Sequence, residues 1–147
     1  MRIRPAERKD LPALDTLSFE LHRDLGRLVG REFTDEELEE ERFVDADLPG
    51  IYVAEEADEI VAVIAFATKP AENEWVGKHY EIYHIYVKPA HQGRGIGTCL
   101  FELVRQRAIA DDVNLTIGTL LANRDAIRFY RKLGFKPTSI GLTLALP

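Results

Sequence analysis

A single cysteine, Cys99, stands among the 147 residues. One thiol cannot close an internal disulfide, and it cannot build a cysteine-based zinc framework. The default setting for such a chain is reducing and cytoplasmic. No stretch approaches the roughly 18 apolar residues of a membrane span. The opening Met1-Arg2-Ile3-Arg4-Pro5 lacks the apolar core of a secretion signal. The glycosylation pattern Asn114-Leu115-Thr116 therefore carries no weight. Basic residues are outnumbered, 19 Lys+Arg against 25 Asp+Glu, for a net charge of −6. That argues against the basic footprint of a broad nucleic-acid surface. It suits a cationic small partner, although net charge speaks mainly to solubility and steering.

What is present is a globular balance, with 46% apolar and 30% charged residues. The length fits one domain, 1–147, with a core that needs no disulfide. No repeat, low-complexity tract or interdomain linker interrupts it. Met1 to Arg4 reads as a first strand. Leu14, Leu17, Leu21, Leu25 and Leu28 recur at steps of three and four, which predicts an amphipathic helix over Leu11 to Val29. Thr34-Asp35-Glu36-Glu37 is a capping box, and a short acidic helix should follow to about Phe43. Ile51 to Glu55 and Ile60 to Ala67 are β-rich runs joined by a predicted hairpin turn, Glu56 to Glu59. His79 to Val87 is the strongest strand and stops before Pro89. Ile96, Leu100, Leu103 and Val104 mark a helix over Gly95 to Ala110. Leu115 to Leu121 is a further strand. Asn123 can cap a helix to Leu133, with Gly134 as its left-handed end. Ile140 to Leu146 reads as a last strand. The order β-α-α-β-β-β-α-β-α-β defines a mixed α/β fold with an antiparallel first half.

The chemical signal is Gln92-Gly93-Arg94-Gly95-Ile96-Gly97, between a strong strand and a strong helix. Glycines let the backbone approach a ligand closely. A helix start adds free N–H groups and a positive dipole end, together an anion cradle suited to phosphate. Arg94 can add a charge-assisted contact. The plainer alternative is a tight turn, but three glycines at alternate positions exceed what a turn needs. A Walker loop fails because Gly97-Thr98-Cys99 has no lysine. A dinucleotide fingerprint fails because Thr98 stands where its third glycine belongs, and no acidic ribose anchor follows.

Ile85-Tyr86-Val87-Lys88-Pro89 followed by Gln92-x-x-Gly95-x-Gly97 resembles motif A of the GNAT superfamily of acyl-CoA-dependent N-acyltransferases. Leu120-Leu121-Ala122-Asn123 and Ala126 to Phe135 resemble its second block, about 30 residues on. Ile3 to Leu11 resembles its usual opening. The resemblance spans nearly the whole chain and implies a central mixed, mostly antiparallel sheet with a splayed strand pair, flanked by about four helices. It implies acetyl-CoA as co-substrate, an amine acceptor and no metal. Amides of Gln92, Gly93, Arg94, Gly95, Ile96, Gly97 and Thr98 would cradle the CoA pyrophosphate. Ile85, Tyr86 and Val87 would offer free strand groups to the pantetheine and the thioester carbonyl. Asn123 would bind the pantetheine, and Ala126 and Phe129 would line its thiol end.

Tyr130 matches the family's general acid, which protonates the departing thiolate. A core tyrosine is the alternative, and the surrounding Asn123 and Gly134-Phe135 favour the acid. Glu81, eleven residues before Gln92, is the candidate base. It is expected to share a face with Tyr83, Ile85 and Val87, where an apolar setting raises a carboxyl's pKa. A solvated strand-end glutamate is the alternative reading. His84 and Tyr83 are rival bases on opposite faces, and His79 and His91 read as ordinary polar positions. The acidic run Asp35 to Glu41 is either a solvated helix face or an attraction for a polyamine, aminoglycoside or basic peptide. Trp75 is either an acceptor wall or a loop anchor. Cys99 is expected to pack as a small buried hydrophobe. Only twelve residues follow Phe135, enough for one strand where the family usually has two. A homodimer that supplies the missing strand is one outcome. A non-catalytic acyl-CoA-binding or regulatory module is the rival function.

Overall fold

The computed structural model describes residues 1–147. Alternating aliphatic residues build a five-stranded sheet in the order β1-β2-β3-β4-β5. The strands are β1 (Arg2–Pro5), β2 (Ile51–Glu56), β3 (Glu59–Lys69), β4 (His79–Val87) and β5 (Asn114–Ile117). The first four pair antiparallel, and β5 runs parallel to β4. The helices are α1 (Leu11–Val29), α2 (Asp35–Glu40), α3 (Ile96–Ala110) and α4 (Arg124–Leu133).

Residues of β3 divide between the two faces of the sheet. Ala62, Ile64 and Phe66 pack with Ile96, Leu100 and Val104 of α3. Val63 and Ala65 pack with Leu14 and Leu17 of α1. Fully burying each such leucine contributes about 1.5–3 kcal/mol. The leucine stripe of α1 serves two ends. Leu14 and Leu17 are buried in this core, whereas Leu21, Leu25 and Leu28 run on to line an open groove.

Buried Arg4 ties β1 to the start of α1. It donates to both carboxylate oxygens of Asp10, at 2.7 and 2.9 Å, and to Glu55 at 3.1 Å. These bonds to Arg4 hold the Asp10 carboxyl below its ordinary range. Thr34 and Glu37 close the expected capping box on α2. Asn123 caps α4 by accepting from the Ala126 amide at 3.2 Å, and Gly134 ends that helix at φ 104°.

Four expectations are corrected. Ile140 to Leu146 forms no strand, and Ile140, Leu142, Leu144 and Leu146 are exposed. Alternation specifies a strand only where an edge accepts its hydrogen bonds, and no strand pairs with this segment. Cys99 is exposed rather than packed, as is Leu103. Ile96, Leu100 and Val104 turn toward the sheet at steps of four, which leaves Cys99 and Leu103 on the outer side of α3. Glu81 does not share a face with Ile85 and Val87. Ala65 pairs with His84 and Phe66 with Ile82, so Tyr83 is an unpaired bulge residue. The extra residue flips the alternation and puts Glu81 on the α1 side with His84 and Tyr86. Finally, His79 is no ordinary polar position, being 1% exposed.

Candidate active site

Pairing between β4 and β5 is confined to His79–Ile82 against Asn114–Ile117. Beyond it the strands separate, and Tyr83 to Val87 have no strand neighbour on that side. The gap opens a groove of about 1030 Å³ between β4, the end of β5, α1 and the starts of α3 and α4. Ile85, Tyr86, Val87, Gln92, Gly93, Gly95, Ile96, Gly97, Thr98, Asn123, Ala126, Phe129 and Tyr130 all line it. The structure thus brings together residues that lie as much as 45 positions apart in the chain.

The loop into α3 depends on left-handed backbone, with Gly93 at φ 75° and Gly95 at φ 80°. A side chain there is strained, by roughly 1–2 kcal/mol per residue. Gly95 is the N-cap of α3 and no side chain caps that end. The first amides of the helix, from Ile96 to Thr98, therefore lack intrahelical acceptors, and all three residues line the groove. Gln92 donates from Nε2 to the Val87 carbonyl at 2.9 Å and fastens the loop to the end of β4. Arg94 points elsewhere. It donates twice to Glu56, both at 3.0 Å, and is absent from the groove lining. Glu56 also lies 3.0 Å from His91 Nε2. The hydrogen bonds from Arg94 are the main cause that holds the Glu56 carboxyl low.

Tyr130 stands against Phe129 and Phe135, with ring centroids 5.7 and 6.1 Å away. Burial pushes its phenol pKa up, so the hydroxyl keeps its proton at neutral pH.

A second pocket, of about 400 Å³, opens on the α1 side of β4. Glu81, Tyr83 and His84 line it together, with Glu40, Glu41, Asp47, Lys69 and Phe43. Tyr83 and His84 also line the large groove, so they form the partition between the two spaces. The expectation that Tyr83 and His84 point to opposite faces gives way to this shared partition, again because of the bulge. His84 is 6% exposed and neither ring nitrogen has a partner. Desolvation, aided by nearby His22, pushes its pKa down to about 3. Desolvation, aided by Asp47, pushes Tyr83 up to about 12. At neutral pH the imidazole is uncharged and the phenol protonated. Trp75 is 84% exposed and walls neither space. The contribution of α1 to the groove was signalled by its leucine stripe, which fits a core helix equally well.

This fold and groove define the class. Residues 14–135 match the family model described as the acetyltransferase (GNAT) family, and the chain belongs to that family. It is 33% identical over 98 residues to an uncharacterized N-acetyltransferase, MJ1207, of Methanocaldococcus jannaschii. That match covers 64% of this chain and 42% of the relative, so the chain spans less than half of that protein. A tetramutant of the BH1408 protein of Bacillus halodurans superimposes with a TM-score of 0.80 at 23% identity, covering 99% of this chain and 100% of that one. A predicted acetyltransferase of Clostridium acetobutylicum, solved with acetyl-CoA, gives 0.72 at 24% identity, covering 98% and 95%. No helix is long and apolar enough to cross a membrane.

Proposed function

We propose that the protein is an N-acetyltransferase that moves an acetyl group from acetyl-CoA directly to a primary amine of a small molecule, peptide or protein. The observation that carries this reading is the groove itself. It presents one unpaired strand side, one uncapped helix start, Asn123 and Tyr130 to the same space. An extended, anionic, thioester-ended molecule fits that combination. Acetyl-CoA supplies the activated acetyl group as a thioester.

In this reading the amides from Gln92 to Thr98 hold the pyrophosphate, and Ile85 to Val87 receive the pantetheine as an added strand would be received. Ala126 and Phe129 line the sulfur end of the groove. A β4 amide polarises the carbonyl. Glu81 takes the proton from an amine in the second pocket as its nitrogen attacks the acetyl carbon. The carbon–sulfur bond breaks, and Tyr130 gives its proton to the departing sulfur. Glu81 suits the base role better than its neighbours. The Tyr83 phenol holds its own proton, and His84, pushed down to about 3, holds an extra one poorly. Arg94 reaches a phosphate only by leaving Glu56. The four carboxylates of the second pocket, against Arg42 and Lys69, favour a cationic acceptor.

The reading places the protein in the cytoplasm, and a homodimer is part of it. Exposed apolar residues at alternate positions from Ile140 to Leu146 offer a strand to a second copy. Light scattering on the purified chain reads the mass directly, and a monomer at all concentrations would remove the dimer.

The deciding experiment is calorimetric titration with acetyl-CoA, CoA and ATP, followed by an amine panel read by free-thiol release. Acetyl-CoA binding with turnover is the expected result. Binding without turnover on any amine would favour the acyl-CoA-binding module. No CoA binding, or preference for ATP, would overturn the assignment.

A further inference from the structure

His79 opens β4 and is 1% exposed. Its Nδ1 lies 2.8 Å from the Gly77 carbonyl oxygen. A carbonyl can only accept, so Nδ1 carries the proton. In the neutral ring Nε2 is then a bare lone pair. It is buried and has no hydrogen-bond partner. It points at carboxylates, with Glu72 Oε1 at 3.6 Å. Glu81, two residues along the same strand face, completes the group, and the three ligand atoms lie within 4.8 Å of one another.

Three acceptors facing one another repel unless something positive sits between them. Lys69 stands opposite His79 in the β3–β4 register. It lines the second pocket with Glu81 but makes no direct ion pair with Glu72 or Glu81. The separation from Nε2 to Glu72 is too long for a hydrogen bond. It matches two ligands of one ion, since donors each about 2.0–2.1 Å from a tetrahedral metal stand roughly 3.3–3.5 Å apart. Glu72 is exposed and lies on the loop between β3 and β4, so its rotamer is free to close the remaining distance.

We infer that Glu72, His79 and Glu81 form a binding site for a divalent transition-metal cation of the zinc class. One imidazole nitrogen and two carboxylates are the donor set of that class, whereas magnesium and calcium prefer oxygen alone. Three protein ligands leave a fourth position for water. The Nδ1–H bond to the Gly77 carbonyl is the outer contact that fixes a ligating histidine's tautomer. The ion would fasten the 70–78 loop to β4 beside the second pocket. The site does not depend on acetyl transfer. An ion on one oxygen of Glu81 would make its carboxylate a poorer acceptor of an amine proton.

The test is binding to the chelator-stripped 147-residue chain, with zinc chloride by calorimetry and cobalt(II) chloride by visible absorption. Histidine imidazole resonances are followed by NMR during the zinc titration. We expect one saturable zinc ion per chain and a shift confined to the His79 ring among the histidines. Glu72→Gln changes an exposed side chain and leaves folding intact. It should weaken zinc binding at least about tenfold, the low end of what even supporting partners of a metal ligand cost. His79→Gln should abolish saturable binding. If that buried substitution fails to fold, Glu72→Gln and the His79 resonance decide. Absence of saturable uptake, an unmoved His79 resonance, or equal affinity in Glu72→Gln would each overturn the site. All three readouts are binding, so failure here is separate from failure of the transferase reading.

Discussion

Tyr130 and His84 carry different burdens although both are aromatic and both border the groove. Burial raises the Tyr130 phenol pKa and keeps it a proton donor. Tyr130→Phe removes that proton while preserving the ring contacts with Phe129 and Phe135. It should lower kcat by roughly 10²–10⁴-fold, the range of general acid–base catalysis. The Kd of acetyl-CoA should stay within about twofold, since the phenyl ring still fills the groove wall. Steady-state kinetics and calorimetry on one preparation check both halves. His84 is buried without a partner for either nitrogen, and its pKa falls from 6.5 to about 3. The unfolded chain takes up a proton below about pH 6.5, and the folded imidazole does not. Its linked stability is intact above pH 6.5 and is lost as pH falls from there toward 3. The slope for one such group is at most about 1.4 kcal/mol per pH unit. Urea unfolding at pH 7, 6, 5 and 4 should show a flatter acid limb for His84→Phe than for the parent chain. An identical limb would show that His84 binds its proton as readily in the folded chain as in the unfolded one.

At the scale of elements, α4 depends on its ends more than on its middle. It has no fully buried residue, and its apolar anchors are Leu133 and, just beyond it, Phe135. Asn123 satisfies the Ala126 amide at one end, and Gly134 closes the other in left-handed backbone. Asn123→Ala should cost about 1 kcal/mol of stability through the lost cap. It should also weaken acetyl-CoA binding, because the same side chain borders the groove. Thermal unfolding with and without acetyl-CoA separates the two effects. β4 is shaped by a single inserted residue. Without the bulge at Tyr83, Glu81 would lie on the α3 side, away from the second pocket. The bulge, not the composition of the strand, decides which residues meet an acceptor.

Across the whole molecule, the first strand is held by charge as well as by pairing. Arg4 and Asp10 are 7% and 5% exposed and share two short hydrogen bonds. Asp10→Asn puts a neutral amide in place of one carboxylate and leaves Glu55 as the charged partner of the buried guanidinium. Breaking a buried pair from one side costs about 3–5 kcal/mol, and the remaining bond to Glu55 puts this change at the low end of that range. For a chain of this size that is a drop in Tm of roughly 10 °C or more. Because Arg4 holds the Asp10 carboxyl low, the pair's contribution is full above the ordinary aspartate range. It is lost as pH falls through the lower folded value. Calorimetric melts at pH 7 and pH 3 should therefore show parent and variant further apart at pH 7.

Local pattern determined most of the elements. The leucine stripe placed α1 over Leu11–Val29, and Thr34 with Glu37 placed the start of α2. Asn123 and Gly134 bounded α4, and the uninterrupted β-formers bounded β4 at His79 and Val87. These features are legible because periodicity and capping act within a few residues. The glycine loop was legible for the same reason, since left-handed backbone at Gly93 and Gly95 is a local demand. Tertiary structure alone decided the rest. The partner of Arg94 lies 38 residues away, and the strand register at Tyr83 turned Glu81 to its face. Burial left His79 Nε2 and both ring nitrogens of His84 without a hydrogen-bond partner. The segment from Ile140 to Leu146 has a strand's alternation and no edge to join, and pairing is a property of two segments rather than one.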